Sequence, residues 1–287
     1  MKHLIVYFIL LFVNISLQAH PGWGIAIDSK GNIYFPDITR NGGTIFRLDK
    51  DGKLQTLLTH IHAHSVHLDN QDNLYTAHGE EVHYMIRRTP DGQVDTLIKS
   101  KSIDQFFGGN SIWSPHYGIV YGLKKHKKLS AIQRDKTRFV SDHEFIWNQA
   151  IYADKEGNIY APDIGFDNGI LVRIDRNGCA DIIARDLIST LSRPRDRHND
   201  VLLGMAKGPD GKMYIAELAG QRIIQINDDG THNTFYKAEG NWFPTAIAFD
   251  GNEAVVMEYR HNSEGMKGPR IVRINSNGRA TLLYDMS

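Results

Sequence analysis

Asp28-Ser29-Lys30-Gly31-Asn32-Ile33-Tyr34 decides the fold, because the same phrase returns along the chain. It recurs as Asp69-Asn70-Gln71-Asp72-Asn73-Leu74-Tyr75, as Asp154-Lys155-Glu156-Gly157-Asn158-Ile159-Tyr160, and as Gly208-Pro209-Asp210-Gly211-Lys212-Met213-Tyr214. Looser copies stand at Ser114-Pro115-His116-Tyr117-Gly118-Ile119-Val120-Tyr121 and Phe249-Asp250-Gly251-Asn252, which makes six. Asp-x-x-Gly-Asn is turn chemistry: Asp and Asn bond their own backbone and Gly supplies φ > 0.

Working outward, each turn sits between short strand-like runs, such as Gly24 to Ile27 before the first copy and Ile33 to Phe35 within and after it. A third run follows as Ile45-Phe46-Arg47-Leu48, Met85-Ile86-Arg87-Arg88, Leu171-Val172-Arg173-Ile174, Ile223-Ile224-Gln225-Ile226 and Ile271-Val272-Arg273-Ile274. A second polar turn, for example Asp49-Lys50-Asp51-Gly52 or Asp175-Arg176-Asn177-Gly178, leads to a fourth run. Four short strands in roughly 40 residues, with no amphipathic helix between them, is the pattern of propeller blades. The chain therefore predicts an all-β, six-bladed β-propeller with four antiparallel strands per blade. Its first and last units are typical repeats, as a closed ring allows and a capped solenoid does not. Blade 1 starts at its innermost strand and blade 6 ends at its outermost, so little strand exchange is expected at the closure.

The chain has 287 residues with 33 basic and 33 acidic side chains, a balance that argues against nucleic acid or an anionic membrane as partner. Residues 1–19 read as a signal peptide. Lys2 and His3 precede the apolar run Leu4 to Val13, and Ser16-Leu17-Gln18-Ala19 offers a small residue for cleavage. That run is too short to span a bilayer comfortably, so residues 20–287 are expected to be exported as the propeller, without a membrane span after cleavage and as a monomer. Cys179 is the single cysteine, which leaves packing, with or without a metal, to stabilise the ring.

In such a blade the Asp-x-x-Gly turns lie on one face of the disc, and the loops leading into each inner strand lie on the other. The second set varies most here, and function concentrates on variable loops of a rigid scaffold. It carries Trp23, then His60, His62 and His64, then Asn110, then His143, Glu144 and Asn148. The links from second to third strand add Asp37, His78 with His83, Asp163, Glu217, and Glu258 with Arg260 and His261. The longest insertion, Leu187 to Val201, contains Arg195 and Asp200 and is expected to fold over the central opening. Inner-strand starts read Trp23, His64, Asn110, Asn148, Leu203 and Pro244, so three of six are polar at the axis. Asparagine and carboxylate oxygens suit a hard divalent cation such as Ca²⁺, whereas His64 and His78 would shift preference toward Zn²⁺. His67 is expected between the blades, because it alternates with His64 along the strand.

Gly-Ile-Ala-x-Asp-x-x-Gly-Asn-Ile-Tyr-x-x-Asp, at Gly24 to Asp37 and approximated at Gln149 to Asp163, resembles an NHL repeat. The six-bladed arrangement is similar to that of the gluconolactonase-like proteins (the senescence marker protein group), and is shared by paraoxonases, strictosidine synthases and peptidyl-amidoglycolate lyases. The gluconolactonase resemblance implies an axial divalent metal. Asn148, in Trp147-Asn148-Gln149-Ala150, matches a motif asparagine, and Asn110 falls within a residue of the other. The expected Glu falls near Gly22 and the expected Asp at Leu203, so Asp200 or Glu258 would have to substitute. The lyase resemblance implies His ligands, and His64-Ser65-Val66 fits one of its strand starts.

Two functions follow as expectations. One is a metal-dependent hydrolase or lyase for a small lactone or ester. Asn110, Asn148, Glu258 and Asp200 would be its ligands and His64 or His78 its general base. The other is a non-catalytic module whose variable face captures a peptide, glycan or protein through Trp23, Arg195, Glu217, Trp242 and Arg260.

Overall fold

The Asp28 carboxylate shows why the repeat folds. One oxygen accepts the backbone N–H groups of Lys30 (2.9 Å) and Asn32 (2.8 Å), and the other accepts the Asn32 amide (2.7 Å) and the Tyr34 hydroxyl (3.0 Å). Asp69 does the same for Gln71, Asn73 and Tyr75, and Asp154 for Asn158 and Tyr160. The recurring tyrosine is thus part of the turn, tying its hydroxyl to the residue that starts it. These bonds hold the Asp28 and Asp69 carboxyls below the usual value against the opposing pull of partial burial.

A computed structural model describes residues 21–123, 127–134, 136–190, 200–262 and 265–287. Among them are six four-stranded antiparallel sheets, each made of consecutive strands, at 26–59, 66–100, 111–139, 152–184, 202–237 and 242–285. The inner strands contact one another in sequence order, and the first, Ala26–Ile27, also meets the inner strand of blade 6, Trp242–Asp250. The ring is closed. The protein is a six-bladed β-propeller.

Among the described residues no strand crosses between blades, so the joint between blades 6 and 1 depends on packing. Val255, Met257, Tyr259 and Ile271 of blade 6 interlock with Phe35, Phe46 and Leu48 of blade 1. Each large apolar side chain buried there stabilises the joint by about 1.5–3 kcal/mol. The Tyr259 hydroxyl donates to the Pro36 carbonyl (3.0 Å), and Arg40 donates to the Met286 carbonyl at the chain's end. Comparable clusters join blade 1 to 2 and blade 2 to 3.

The inner strands enclose an axial channel of about 680 Å³ with Ile25, His67, Trp113, Tyr152, Met205 and Phe249 among its lining residues. His67 borders the channel with its ring Nε2 buried, as a position packed between blades requires. On the variable face the blades crowd together unequally. A Cβ on Gly204 would lie 2.1 Å from the Trp23 carbonyl oxygen and 2.8 Å from the Ala246 Cα. Blades 5, 6 and 1 thus meet backbone to backbone at the axis. Gly204→Ala is expected to lower unfolding stability by about 3 kcal/mol, read as a shifted urea midpoint; an unchanged midpoint would show that this side of the ring yields easily.

Candidate functional site

Strand register aligns the six blades residue by residue. Ala26 pairs with Tyr34, His67 with Tyr75, Ile112 with Val120, Tyr152 with Tyr160, Ala206 with Tyr214 and Ala248 with Val255. Three residues further along each second strand stand Asp37, His78, Leu123, Asp163, Glu217 and Glu258. Five of the six blades carry a polar group at this level, and each of those groups is engaged.

Asp163 accepts backbone N–H groups from Ile146 (2.7 Å), Trp147 (2.9 Å) and Gly165 (2.9 Å). Glu217 accepts from Ser189 N (3.0 Å) and Oγ (2.9 Å), Gly220 N (3.0 Å) and Arg222 Nε (2.6 Å). Asp37 takes Thr39 N (2.9 Å), Thr39 Oγ1 (2.6 Å) and Arg40 Nε (2.9 Å). His78 Nδ1 accepts the His62 backbone N–H (2.9 Å), which fixes its neutral tautomer with the proton on Nε2. Glu258 is paired with Arg270 and faces Tyr236; burial pushes its carboxyl up while Arg270 and Tyr236 oppose the shift. Asp37, His78, Asp163 and Glu217 act as posts that hold the variable loops to the disc, while Glu258 bonds within its own blade.

Several expected site residues are accounted for in this way. Glu217 and Glu258 are both 0% exposed, so Glu217 does not stand on an open face and Glu258 is committed to Arg270. Trp242 is also buried, with the guanidinium carbons of Arg270 and Arg260 4.1 and 5.1 Å from its ring centre. Asp200 is buried at the start of blade 5. Arg195 lies outside the described residues.

Trp23, His64, Asn110 and Asn148 do come together. They line a cavity of about 460 Å³ on the variable face, with Phe107, Phe145, Trp147 and Gln149. The cavity sits over blades 2 to 4, off the axis, because the backbone contacts of blades 5, 6 and 1 fill the other side. Trp23 lines both this cavity and the axial channel and so forms part of the partition between them. His64 stacks on Trp23 with ring centres 4.2 Å apart and planes 9° from parallel, and the His62 ring meets it edge-on at 4.9 Å.

The two asparagines are bonded to each other. Asn148 gives its amide hydrogens to the carbonyls of Ala150 (2.8 Å) and Pro162 (2.9 Å), which turns its Oδ1 toward Asn110 Nδ2 at 2.7 Å. Gly122 makes room for this pair: a Cβ there would lie 2.9 Å from Asn110 Nδ2 and 3.4 Å from Asn148 Oδ1. Gly122 faces blade 4, on the opposite side of its sheet from the residue at the post level, Leu123, and the amides occupy the space beside it. Sequence reasoning missed Gly122, Phe107, Phe145, Trp147 as a wall, and Lys127 and Lys128 at the rim. The last two end a visible run, Lys124-Lys125-His126-Lys127-Lys128.

A divalent metal does not fit this donor set. Asn148 Oδ1 is occupied by Asn110, His78 Nδ1 is occupied by His62, and Glu258, bonded through one oxygen to Arg270, is not among the residues lining the cavity. Among the described residues no three His, Cys, Asp or Glu side chains converge as a metal site requires. No helix there is long and apolar enough to cross a membrane.

No family model matches the chain, and no curated protein matches it. Solved structures do. Catalytically inactive virginiamycin B lyase from Staphylococcus aureus, captured with quinupristin, is 17% identical over 94% of this chain and 86% of that one, with a TM-score of 0.57. A structure of a nidogen/laminin complex matches at 15% identity over 85% of this chain and 89% of that one, TM-score 0.61. Regucalcin from Agrobacterium tumefaciens, described as a calcium-binding protein, matches at 13% over 84% and 82%, TM-score 0.60. What is shared is the fold. It is carried both by enzymes and by binding modules.

Burial pushes the His67 imidazole down to about 4, and holds His78, His83 and His143 below the ordinary value of 6.5. An unfolded chain takes up these protons first as pH falls, so their contribution is complete above about 6.5 and is lost progressively toward about 4. The melting temperature is therefore expected to fall between about pH 7 and about pH 4, and His67→Gln to flatten part of that slope. A slope unchanged by the substitution would remove His67 from the account.

Proposed function

We propose that this protein is an exported small-molecule-binding propeller whose ligand occupies the cavity over blades 2 to 4. The observation that carries the reading is the cavity's construction: aromatic walls around a pre-oriented asparagine pair. Pockets of this size that combine an apolar lining with a few fixed polar groups suit single organic molecules. Trp23 and His64 supply a stacked face, Phe107, Phe145 and Trp147 further apolar surface, and Asn110 and Gln149 hydrogen-bonding edges. A likeness to propellers that bind quinupristin in one case and laminin in another is compatible with a binding role. Export rests on the leader-like residues 1–19.

Metal-assisted opening of a lactone or ester finds less support, because its ligands are engaged elsewhere. The small-molecule half of that expectation is kept and the metal is not. Among the described lining residues His64 is the one imidazole beside the amides, so it would orient a polar group of the ligand while stacked on Trp23.

Tryptophan fluorescence of the purified mature chain, read against a panel of neutral and charged small molecules, tests the proposal. A saturable change is expected for at least one ligand. Gly122→Ala, which drives a methyl group into the amide pair, should weaken binding about tenfold or more with the fold retained by circular dichroism. Trp242→Ala, outside the cavity, should leave binding unchanged. If Trp242→Ala abolishes binding and Gly122→Ala does not, the site is on blade 6 instead. Chelation is expected to leave both binding and melting temperature unaltered; a Ca²⁺-dependent rise in either would restore the metal reading.

A further inference from the structure

The charge and the open hydrogen-bonding positions of the cavity point to a ligand class. Its described lining contains two lysines, Lys127 and Lys128, and no aspartate or glutamate. Lys127 stands exposed at the rim, and its backbone is pinned there. Its N–H donates to the Leu123 carbonyl (3.1 Å), and its carbonyl accepts the Phe145 N–H. Leu123 and Phe145 are themselves wall residues, so the base of the lysine is fixed relative to the aromatic surface. Lys128 Nζ lies 3.2 Å from Asp142, but that carboxylate is fully exposed, and an exposed pair exchanges partners at little cost. Inside the cavity, Gln149 Oε1 is buried and accepts no hydrogen bond among the described residues. A buried acceptor left unmet is unfavourable, so a ligand that brings a donor to it gains affinity.

We propose that the ligand is a hydroxylated ring bearing a carboxylate. This rests on the reading that the cavity binds a small molecule. The ring lies against the aromatic wall, a hydroxyl donates to Gln149 Oε1, and the carboxylate points outward toward Lys127 and Lys128. Two sources share that chemistry: hydroxyaromatic acids, whose faces stack on Trp and His rings, and uronic acids, whose axial C–H faces pack on the same rings. Anionic attraction at an exposed rim is moderate and weakened by salt, whereas the ring contact is not.

The test is calorimetry on the full mature chain with 4-hydroxycinnamate and with galacturonate, each beside its methyl ester. One acid should bind about tenfold more tightly than its ester at low salt, and the advantage should shrink as salt is added. The double substitution Lys127→Gln with Lys128→Gln should bring the acid-to-ester ratio toward one. Gln149→Leu should erase the preference for the hydroxylated acid over its deoxy counterpart. Whichever acid binds identifies the source. Equal binding of acid and ester, or a ratio that survives the lysine double substitution, overturns the anionic class and leaves the small-ligand reading standing. A cavity that takes neither these compounds nor any neutral ligand of the fluorescence panel overturns both.

Discussion

Packing of blade 6 against blade 1 is the constraint on which the rest depends. Each blade is a self-contained run of four consecutive strands, and among the described residues no strand is borrowed across the joint. Closure therefore rests on interlocked side chains such as Phe35, Met257 and Tyr259, supported by the Tyr259–Pro36 hydrogen bond. Lose that contact and the inner strands no longer surround an axis. The channel and the cavity above it exist only because residues more than two hundred positions apart are held in one ring.

Once the ring is closed, its variable face must be tied down, and that explains the polar residues at the ends of the second strands. Loops there cannot use sheet hydrogen bonds, so their N–H groups need other acceptors. Asp37, Asp163 and Glu217 supply them from beneath, buried and fully engaged, and His78 does the same with a ring nitrogen. Buried acids on a propeller's functional face are easily taken for metal ligands. Here their hydrogen-bond partners assign them to holding loops, which frees no carboxylate to complete a cation site with Asn110 and Asn148.

The cavity owes its position to an asymmetry. Close backbone approach at Gly204 joins blades 5, 6 and 1 at the axis, while Gly122 leaves a gap between blades 3 and 4. The asparagine pair fills that gap, the Trp23–His64 stack borders it, and the aromatic residues of the loops leading into blades 3 and 4 wall it. The cavity is thus lined by amides and rings, with lysines at its rim.

The repeat by itself determined the architecture. Asp28, Asn32 and Tyr34 form a turn through bonds spanning only a few residues, so the chemistry is local and legible in sequence, as is its sixfold return. The same logic brought out His64, Asn110 and Asn148 as residues facing a common centre, since strand alternation and repeat register suffice for that. It could not tell which polar groups are already engaged. Glu217 and Glu258 have the same formula whether they face water, a cation or Arg222 and Arg270. Only the tertiary structure supplies those partners, because they come from other strands and from loops whose paths no local rule fixes. The gap at Gly122 was equally hidden: a missing side chain has meaning only when two asparagines from neighbouring blades are seen to fill its place.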